Sequence, residues 1–295
     1  MNELEPRMVV IAGPNGSGKS TVTSGLAQSD KFPAQYINAD DIAKFELLNI
    51  SDALDRIRQA AALAEERRKA ALESGAAFAF ETVLSTPGKL ALFDEARDKG
   101  FSVDLIFITT AHPSINVDRV ALRVAKGGHP VPADKIIDRY ERAMQLLPSA
   151  IQKSDSAEVY DNTSSTHGPV LVAMKSGDHL DYDDRDLPWV SERLAKPFAE
   201  RAKSRNHLAG LVANELIIDA HVGNLNTYEG VVVGVTACHV LQRTQGDKFI
   251  LHDLAICAPH LIFFEGQHAT VSYAFGADGK HLPSKPTERP RRPRP

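Results

Sequence analysis

Met8–Thr21, MVVIAGPNGSGKST, decides how the chain is read. Its first five residues form an apolar, β-branched run, the pattern of a strand buried on both faces within a parallel sheet. Gly13-Pro14-Asn15-Gly16-Ser17-Gly18-Lys19-Ser20 then matches G-x-x-x-x-G-K-S in full, and a helical stretch follows to about Gln28. Strand, loop and helix in that order are the context the motif requires. The glycines let successive backbone N–H groups turn inward onto phosphate oxygens, and the helix adds the positive end of its dipole. Lys19 is placed to reach the β- and γ-phosphates, Ser20 to offer its hydroxyl to Mg²⁺, and Thr21 to close the first turn. The stretch predicts a site for a nucleoside triphosphate, ATP or GTP, with Mg²⁺. The receiver of the phosphate has to be sought elsewhere in the chain.

Outward from this loop, short apolar strands alternate with helices. Strands are expected at Tyr36–Asn38, Phe78–Phe80, Phe101–Thr110 and Glu158–Tyr160. Helices are expected from Ser51-Asp52 to a stop at Gly75, from Pro87 to Gly100, over Val117–Ala125 and Ala133–Gln152, and over Asp186–Ser204. Ser and Asp are good N-caps and Gly a good helix stop, which sets those boundaries. The alternation predicts an α/β domain of three layers with a mostly parallel sheet. After residue 224 the pattern changes to short strands separated by Gly-containing turns: Tyr228–Thr236, Val240–Arg243, Phe249–Leu254, His260–Phe264 and Thr270–Phe275. This predicts a small antiparallel β domain. The expected division is 1–204 for the kinase-like domain, 205–282 for the β domain and 283–295 for a tail.

Residues at the carboxyl ends of strands face the ligand crevice of an open α/β sheet. Asp40, first after the second strand, is the expected base for an acceptor hydroxyl; Asp41 reads mainly as the N-cap of the segment Ile42–Leu48. Glu81 and Thr82 end the third strand, and a carboxylate there reads as a ligand for substrate hydroxyls or amides. Thr110 ends the fourth strand and is expected to line the same pocket. Asn162, after the fifth, is expected beside the nucleotide base. Arg119, Arg123, Arg139 and Arg142 gather around the loop Lys126-Gly127-Gly128-His129-Pro130-Val131-Pro132, which reads as a lid. Arg123 and Arg139 are the expected phosphate clamps, with Arg142 next, on a helix face shared with Arg139.

Composition sets outer limits. The chain has 295 residues, 43% hydrophobic and 24% charged, with net charge −4, so neither global disorder nor a polycation is in question. Two cysteines exclude a disulfide scaffold, and no apolar run approaches the length of a membrane span. A cytoplasmic protein without membrane contact is expected. Cys238, His239, His252, Cys257 and His260 fit no common zinc spacing. The last thirteen residues hold five basic side chains, one acid and five prolines, a tail suited to weak nucleic-acid or protein contact.

The segments VVIAGPNGSGKST, YINADDIAK, AFETVLS and RVAKGGHPVPADKIIDRYERA together resemble the zeta toxin family of P-loop kinases, over about residues 7–175. The resemblance implies a P-loop kinase fold, phosphorylation of the 3′-hydroxyl of UDP-N-acetylglucosamine with ATP or GTP and Mg²⁺, and restraint by a small antitoxin. It implies Asp40 as base, Glu81 as substrate ligand, Lys19 and Ser20 as the loop pair and Arg123 or Arg139 at the phosphates. The lid, Gly127–Pro132, departs from the best-known toxins. The segments YEGVVVGVTACHVLQRT, ILHD and GQHATVSYAFG resemble a KfrB-type domain and imply a mobile-element setting. Two other functions stay open on sequence: a P-loop phosphotransferase for a nucleoside, an antibiotic or a nucleic-acid end, and a nucleic-acid- or partner-binding protein with an inert kinase core.

Overall fold

The computed structural model describes residues 6–282, apart from 30, 31, 129, 214, 224, 277 and 278. The tail at 283–295 and His129 of the expected lid therefore lie outside the described residues. In chain order the elements are β1 (Arg7–Ala12), α1 (Lys19–Leu26), β2 (Gln35–Ile37), α2 (Ala39–Asp41), α3 (Ala53–Ser74), β3 (Phe78–Thr82) and α4 (Ala91–Asp98). There follow β4 (Ser102–Thr109), α5 (Pro113–Ala125), α6 (Ala133–Lys153), β5 (Ser156–Asp161), β6 (Val170–Ser176), β7 (His179–Tyr182) and α7 (Lys196–Gly210). The chain then forms β8 (Ile217–Asp219), β9 (Asn226–Val235), β10 (His239–Thr244), β11 (Phe249–Asp253) and β12 (His268–Tyr273).

The first sheet has the order β2-β3-β1-β4-β5-β6-β7, parallel through β5 and antiparallel beyond it. This is the expected α/β architecture with a mostly parallel sheet. β1 is central, so its side chains are taken up on both faces. Met8, Val10 and Ala12 join a large core with Ala64 of α3, Phe93 of α4 and Leu147 of α6; Val9 and Ile11 pack on the other face with Val22 of α1. Parallel strands place all their carboxyl ends at one edge, where the glycine-rich loop also emerges. α3 starts and stops as its sequence dictates: the Asp52 carboxylate accepts from the Asp55 N–H at 2.8 Å, and Gly75 leaves the helix at φ +68°.

The second sheet, β12-β9-β10-β11-β8, is antiparallel except where β8 runs parallel to β11. Three features differ from the sequence reading. The hairpin β6–β7 went unread: Val170, Leu171 and Met174 are all exposed, so no buried alternation marks it. The run His260–Phe264 is no strand; only Phe263 is buried, while Ile262 and Phe264 stand in solvent, so one anchor holds a turn. The helix expected over Asp186–Ser204 instead passes through a π-helical turn (Val190–Ala195) into α7, which runs on to Gly210 across the 204/205 division. α7 lies on the second sheet, with Leu208 packed against Leu241 and Leu251. Among the described residues no helix is long and apolar enough to cross a membrane.

Candidate active site

The loop after β1 is held open from three sides. Gly18 sits at φ +96°, and a Cβ there would lie 2.2 Å from the Asn162 side-chain nitrogen; Gly13 sits at φ +143°, and a Cβ would meet the Ile108 carbonyl at 2.0 Å. Only glycine satisfies both backbone angle and space. The Asn162 amide donates to the Ser17 carbonyl at 2.7 Å, and the Asn116 amide to the Asn15 carbonyl at 2.7 Å. Pro14 accepts from the Ser17 N–H at 3.2 Å, tightening the turn. The Ser17 hydroxyl is fully buried and has no hydrogen-bond partner among the described residues. The helix-end donors of α1 and this curled backbone make an anion cradle.

The Lys19 ammonium donates to the carbonyls of Gly13 at 2.8 Å and Pro14 at 3.0 Å, so it lies across the loop it serves. Its pKa falls to about 8, chiefly because the loop desolvates it; Glu81 and Asp40 oppose the fall and Arg123 adds to it. These influences place the four groups in one electrostatic neighbourhood, although they come from four separate segments.

Glu81 is the hub of the acidic side. It ends β3, beside β1, with Ile11 as its register partner. One carboxylate oxygen accepts from the Thr23 hydroxyl at 2.8 Å and the Tyr36 hydroxyl at 2.7 Å; the other lies 3.4 Å from the Ser20 hydroxyl. Tyr36 in turn accepts from the Asn38 amide at 2.8 Å, and the Asn38 carbonyl oxygen accepts from the Asp40 N–H at 2.9 Å. A chain of hydrogen bonds thus runs from α1 through Glu81 and Tyr36 to the turn that carries Asp40. Burial first, then the charge of Glu81 and the hydrogen bond to it, raise the pKa of the Tyr36 phenol and keep it protonated, against the opposing pull of the Asn38 and Thr23 hydrogen bonds. Asp40 is exposed at the end of this chain. The helical turn starts earlier than the sequence suggests, at Ala39, with the Asn38 side chain as its cap; Asp41 precedes the π-helical segment Ile42–Glu46 as expected, but its side chain makes no capping bond there. The Asp41 carboxyl instead has its pKa raised, by partial burial first and then by Glu81 and Asp40.

The remaining expected residues divide. Arg139 donates to the Asn15 side chain at 3.3 Å, at the rim of the loop. Arg123 acts on Lys19 electrostatically, and the Gly128 N–H bonds its carbonyl at 2.9 Å. Arg142 reaches the carbonyl of Ser85, on the segment just beyond Glu81, at 2.9 Å, and pairs with Asp138 one turn earlier on α6. Arg119 is engaged by the carbonyls of Asn162, Thr163 and Ser164, so it braces the turn after β5. Thr82 accepts from the Leu84 N–H at 3.1 Å and gives its carbonyl to the Gly13 N–H at 3.2 Å. Leu84, buried at φ +54°, is a strained residue in that turn. Thr110 is fully buried; its hydroxyl is bound to Asn116 and the His112 carbonyl, so the structure places it behind the loop and not in the crevice. Thr23, Tyr36, Asn38 and Asn116 were not anticipated. Periodicity held a signal for two pairs: Ser20 and Thr23 share a helix face, and Tyr36 and Asn38 share a strand face.

The chain matches two family models, one described as Zeta toxin over residues 1–167 and one described as KfrB Domain over 227–281. An uncharacterized protein of Haemophilus influenzae is 29% identical over 143 residues, which is 46% of this chain and 94% of that protein. The crystal structure of AvrRxo1-ORF1:-ORF2 with ATP superposes with a TM-score of 0.50 at 16% identity, covering 63% of each chain. The PezAT toxin–antitoxin system of Streptococcus pneumoniae aligns with a TM-score of 0.43 at 17% identity, over 58% of this chain and 72% of that one. The chain thus spans 63% of the length of the first of these structures. At this identity the likeness speaks for the fold, a P-loop kinase fold.

Proposed function

The chain belongs to the zeta toxin family and carries a KfrB domain, and from that premise we propose that it transfers the γ-phosphoryl group of ATP to a hydroxyl of a UDP-amino sugar such as UDP-N-acetylglucosamine. The observation that carries the reading is the meeting of Lys19, Asp40, Glu81 and Arg123 at one sheet edge. Phosphoryl transfer needs positioning and neutralisation of charge more than covalent chemistry. The backbone of Gly13–Ser20 cradles the phosphates, with Lys19, Arg139 and Arg123 balancing their charge. Asp40, exposed and next to this charge cluster, takes the proton of the acceptor hydroxyl as it attacks.

The Ser20 hydroxyl and the Glu81 carboxylate supply hard oxygen donors side by side, 3.4 Å apart, a donor set that fits Mg²⁺. Bound there, the ion would neutralise charge on the β- and γ-oxygens. Glu81 is accordingly assigned to the metal side of the crevice, and Asp40 with Thr82 and Arg142 to the acceptor side. A small antitoxin is the partner this assignment calls for, since an unrestrained kinase of a cell-wall precursor harms its own cell.

The test incubates the full-length protein with ATP, Mg²⁺ and a panel of UDP-sugars, nucleosides and oligonucleotide ends, and identifies products by mass. A phosphorylated UDP-amino sugar is expected from the wild type and none from Lys19→Ala. Phosphorylation of a nucleoside or an oligonucleotide end alone would move the acceptor to another class. No product with any acceptor would end the kinase reading.

A further inference from the structure

A second enclosed space lies at the other edge of the first sheet. It is a cavity of about 740 Å³, bounded by the amino-terminal end of β5, the carboxyl-terminal ends of α6 and β6, and by α7, β8 and β11. The parallel strands carry their glycine-rich loop and Asp40 at the opposite edge, so the two spaces are separated by the length of the sheet. The size is that of ordinary small-molecule sites.

Its walls are charged, and most of the charge is already matched. Arg97 pairs with Asp155 at 2.8 Å, Lys153 with Asp94 at 2.7 Å, Arg201 with Asp253 at 2.5 Å, and Arg205 with Asp219. Among the described residues two wall charges have no ion pair, the exposed Asp178 and the buried Lys175. Lys175 is 7% exposed, and its ammonium donates only to the carbonyls of Gln152, at 3.3 Å, and Ser154. Among the described residues no carboxylate lies within ion-pairing distance of it. Asp155 and Asp178 act on it only at longer range, against Arg97. An ammonium has three N–H groups, and two are spent. Ser149 lines the same cavity, 1% exposed, and its hydroxyl has no partner among the described residues. A buried cation without a counter-charge and a buried hydroxyl without a partner are each costly, and both costs fall when an anion with several acceptor oxygens arrives. Phe198, Val222 and Leu251 give the cavity an apolar side for the rest of such a molecule.

We propose that this cavity is a second ligand site, for a small organic phosphate of nucleotide or sugar-phosphate size, held by its phosphate between Lys175 and Ser149. Half of its wall comes from the kinase core and half from α7 and the second sheet. A ligand there would therefore be enclosed jointly by the two parts of the chain.

Isothermal titration of full-length Lys19→Ala protein, whose phosphate loop is disabled, with UMP, glucose 6-phosphate and inorganic phosphate tests this. One organic phosphate is expected to bind saturably at a single site, more tightly than inorganic phosphate. Adding Lys175→Met is expected to weaken it at least tenfold, and adding Ser149→Ala about fivefold, the loss of one hydrogen bond. Ligand-free Lys175→Met protein is expected to melt no lower than its parent, because a counter-ion-free ammonium has been removed. Failure of all three probes to bind, or binding indifferent to both substitutions, would overturn the proposal. So would a lowered melting temperature in Lys175→Met together with unchanged binding by Ser149→Ala, which would make Lys175 only a cap for the end of α6.

Discussion

Two polar networks in this molecule look alike in composition and differ in how they close. At the carboxyl edge of the first sheet, Thr23, Glu81, Tyr36 and Asn38 form a chain that ends on the exposed Asp40. Inside the second sheet, the His252 ring is fully buried, with its nitrogens 3.0 Å from the Tyr273 hydroxyl and 3.0 Å from the Gln242 carbonyl oxygen. Gln242 passes its amide on to the Ala269 carbonyl at 2.8 Å, and Cys257 lies 3.7 Å from Tyr273. The second network satisfies itself with backbone and side chain and offers nothing outward. It fixes a core, whereas the first leaves groups to be completed by a ligand. Titratable residues are therefore no guide to function by their number; the open end of a network is the guide.

The contrast is broken most directly by substitutions that should separate activity from stability. Lys19→Ala is expected to lower the rate of phosphoryl transfer by about 10³-fold while leaving the melting temperature nearly unchanged; an equal loss of both would mean the loop is a structural element. His252→Ala is expected to do the reverse. It removes the His252 partner of the Tyr273 hydroxyl and of the Gln242 side-chain oxygen and opens space in the core, at a cost of about 3 kcal/mol in chemical denaturation, with kcat per folded molecule unaltered. A large fall in kcat for that variant would make the β domain part of the catalytic unit.

The closed network also carries a pH signature. Burial lowers the pKa of His252 to about 4, and burial with the Arg201 charge lowers His239 to about 4. Both lie below the unfolded value near 6.5, so the unfolded chain binds more protons between those limits. Stability is then complete above pH 6.5 and falls as pH drops from 6.5 toward 4, by about 1.4 kcal/mol per pH unit for each histidine. Melting temperatures between pH 7 and 5 check this, and a flat profile would contradict it. The open network predicts the opposite side of the scale: nucleotide affinity should weaken above pH 8, where Lys19 loses its proton. Tyr36→Phe is the mildest break. It removes one donor to Glu81 and the link to Asn38, and is expected to lower kcat about tenfold with little change in the KM for ATP; a shift in KM alone would detach Tyr36 from the positioning of Asp40.

Much of the first network could be read from the sequence, because its parts sit at strand ends beside a motif whose geometry is tightly constrained. Gly13–Ser20, Asp40, Glu81 and Asn162 all arrive at the loop or its border. Thr110 did not, since a strand-end threonine can turn either into the crevice or back onto its own turn, and Asn116 and the His112 carbonyl draw it back. For Tyr36 and Thr23 the sequence holds only a face shared with Asn38 and Ser20, because nothing in a tyrosine or a helix threonine announces that it will meet Glu81. The hairpin β6–β7 escaped for a different reason: its exposed apolar side chains carry no alternation. The four ion pairs and the lone Lys175 of the second cavity join residues far apart in sequence, beyond the reach of local pattern.

In the proposed reaction Asp40, at the open end of the network, takes the proton from the acceptor. The direct measurement is kcat for phosphoryl transfer by Asp40→Asn, with ATP and the UDP-amino sugar both saturating. A fall of about 10²- to 10⁴-fold, with nucleotide binding retained, is the predicted result. An Asp40→Asn enzyme as fast as the wild type would contradict it.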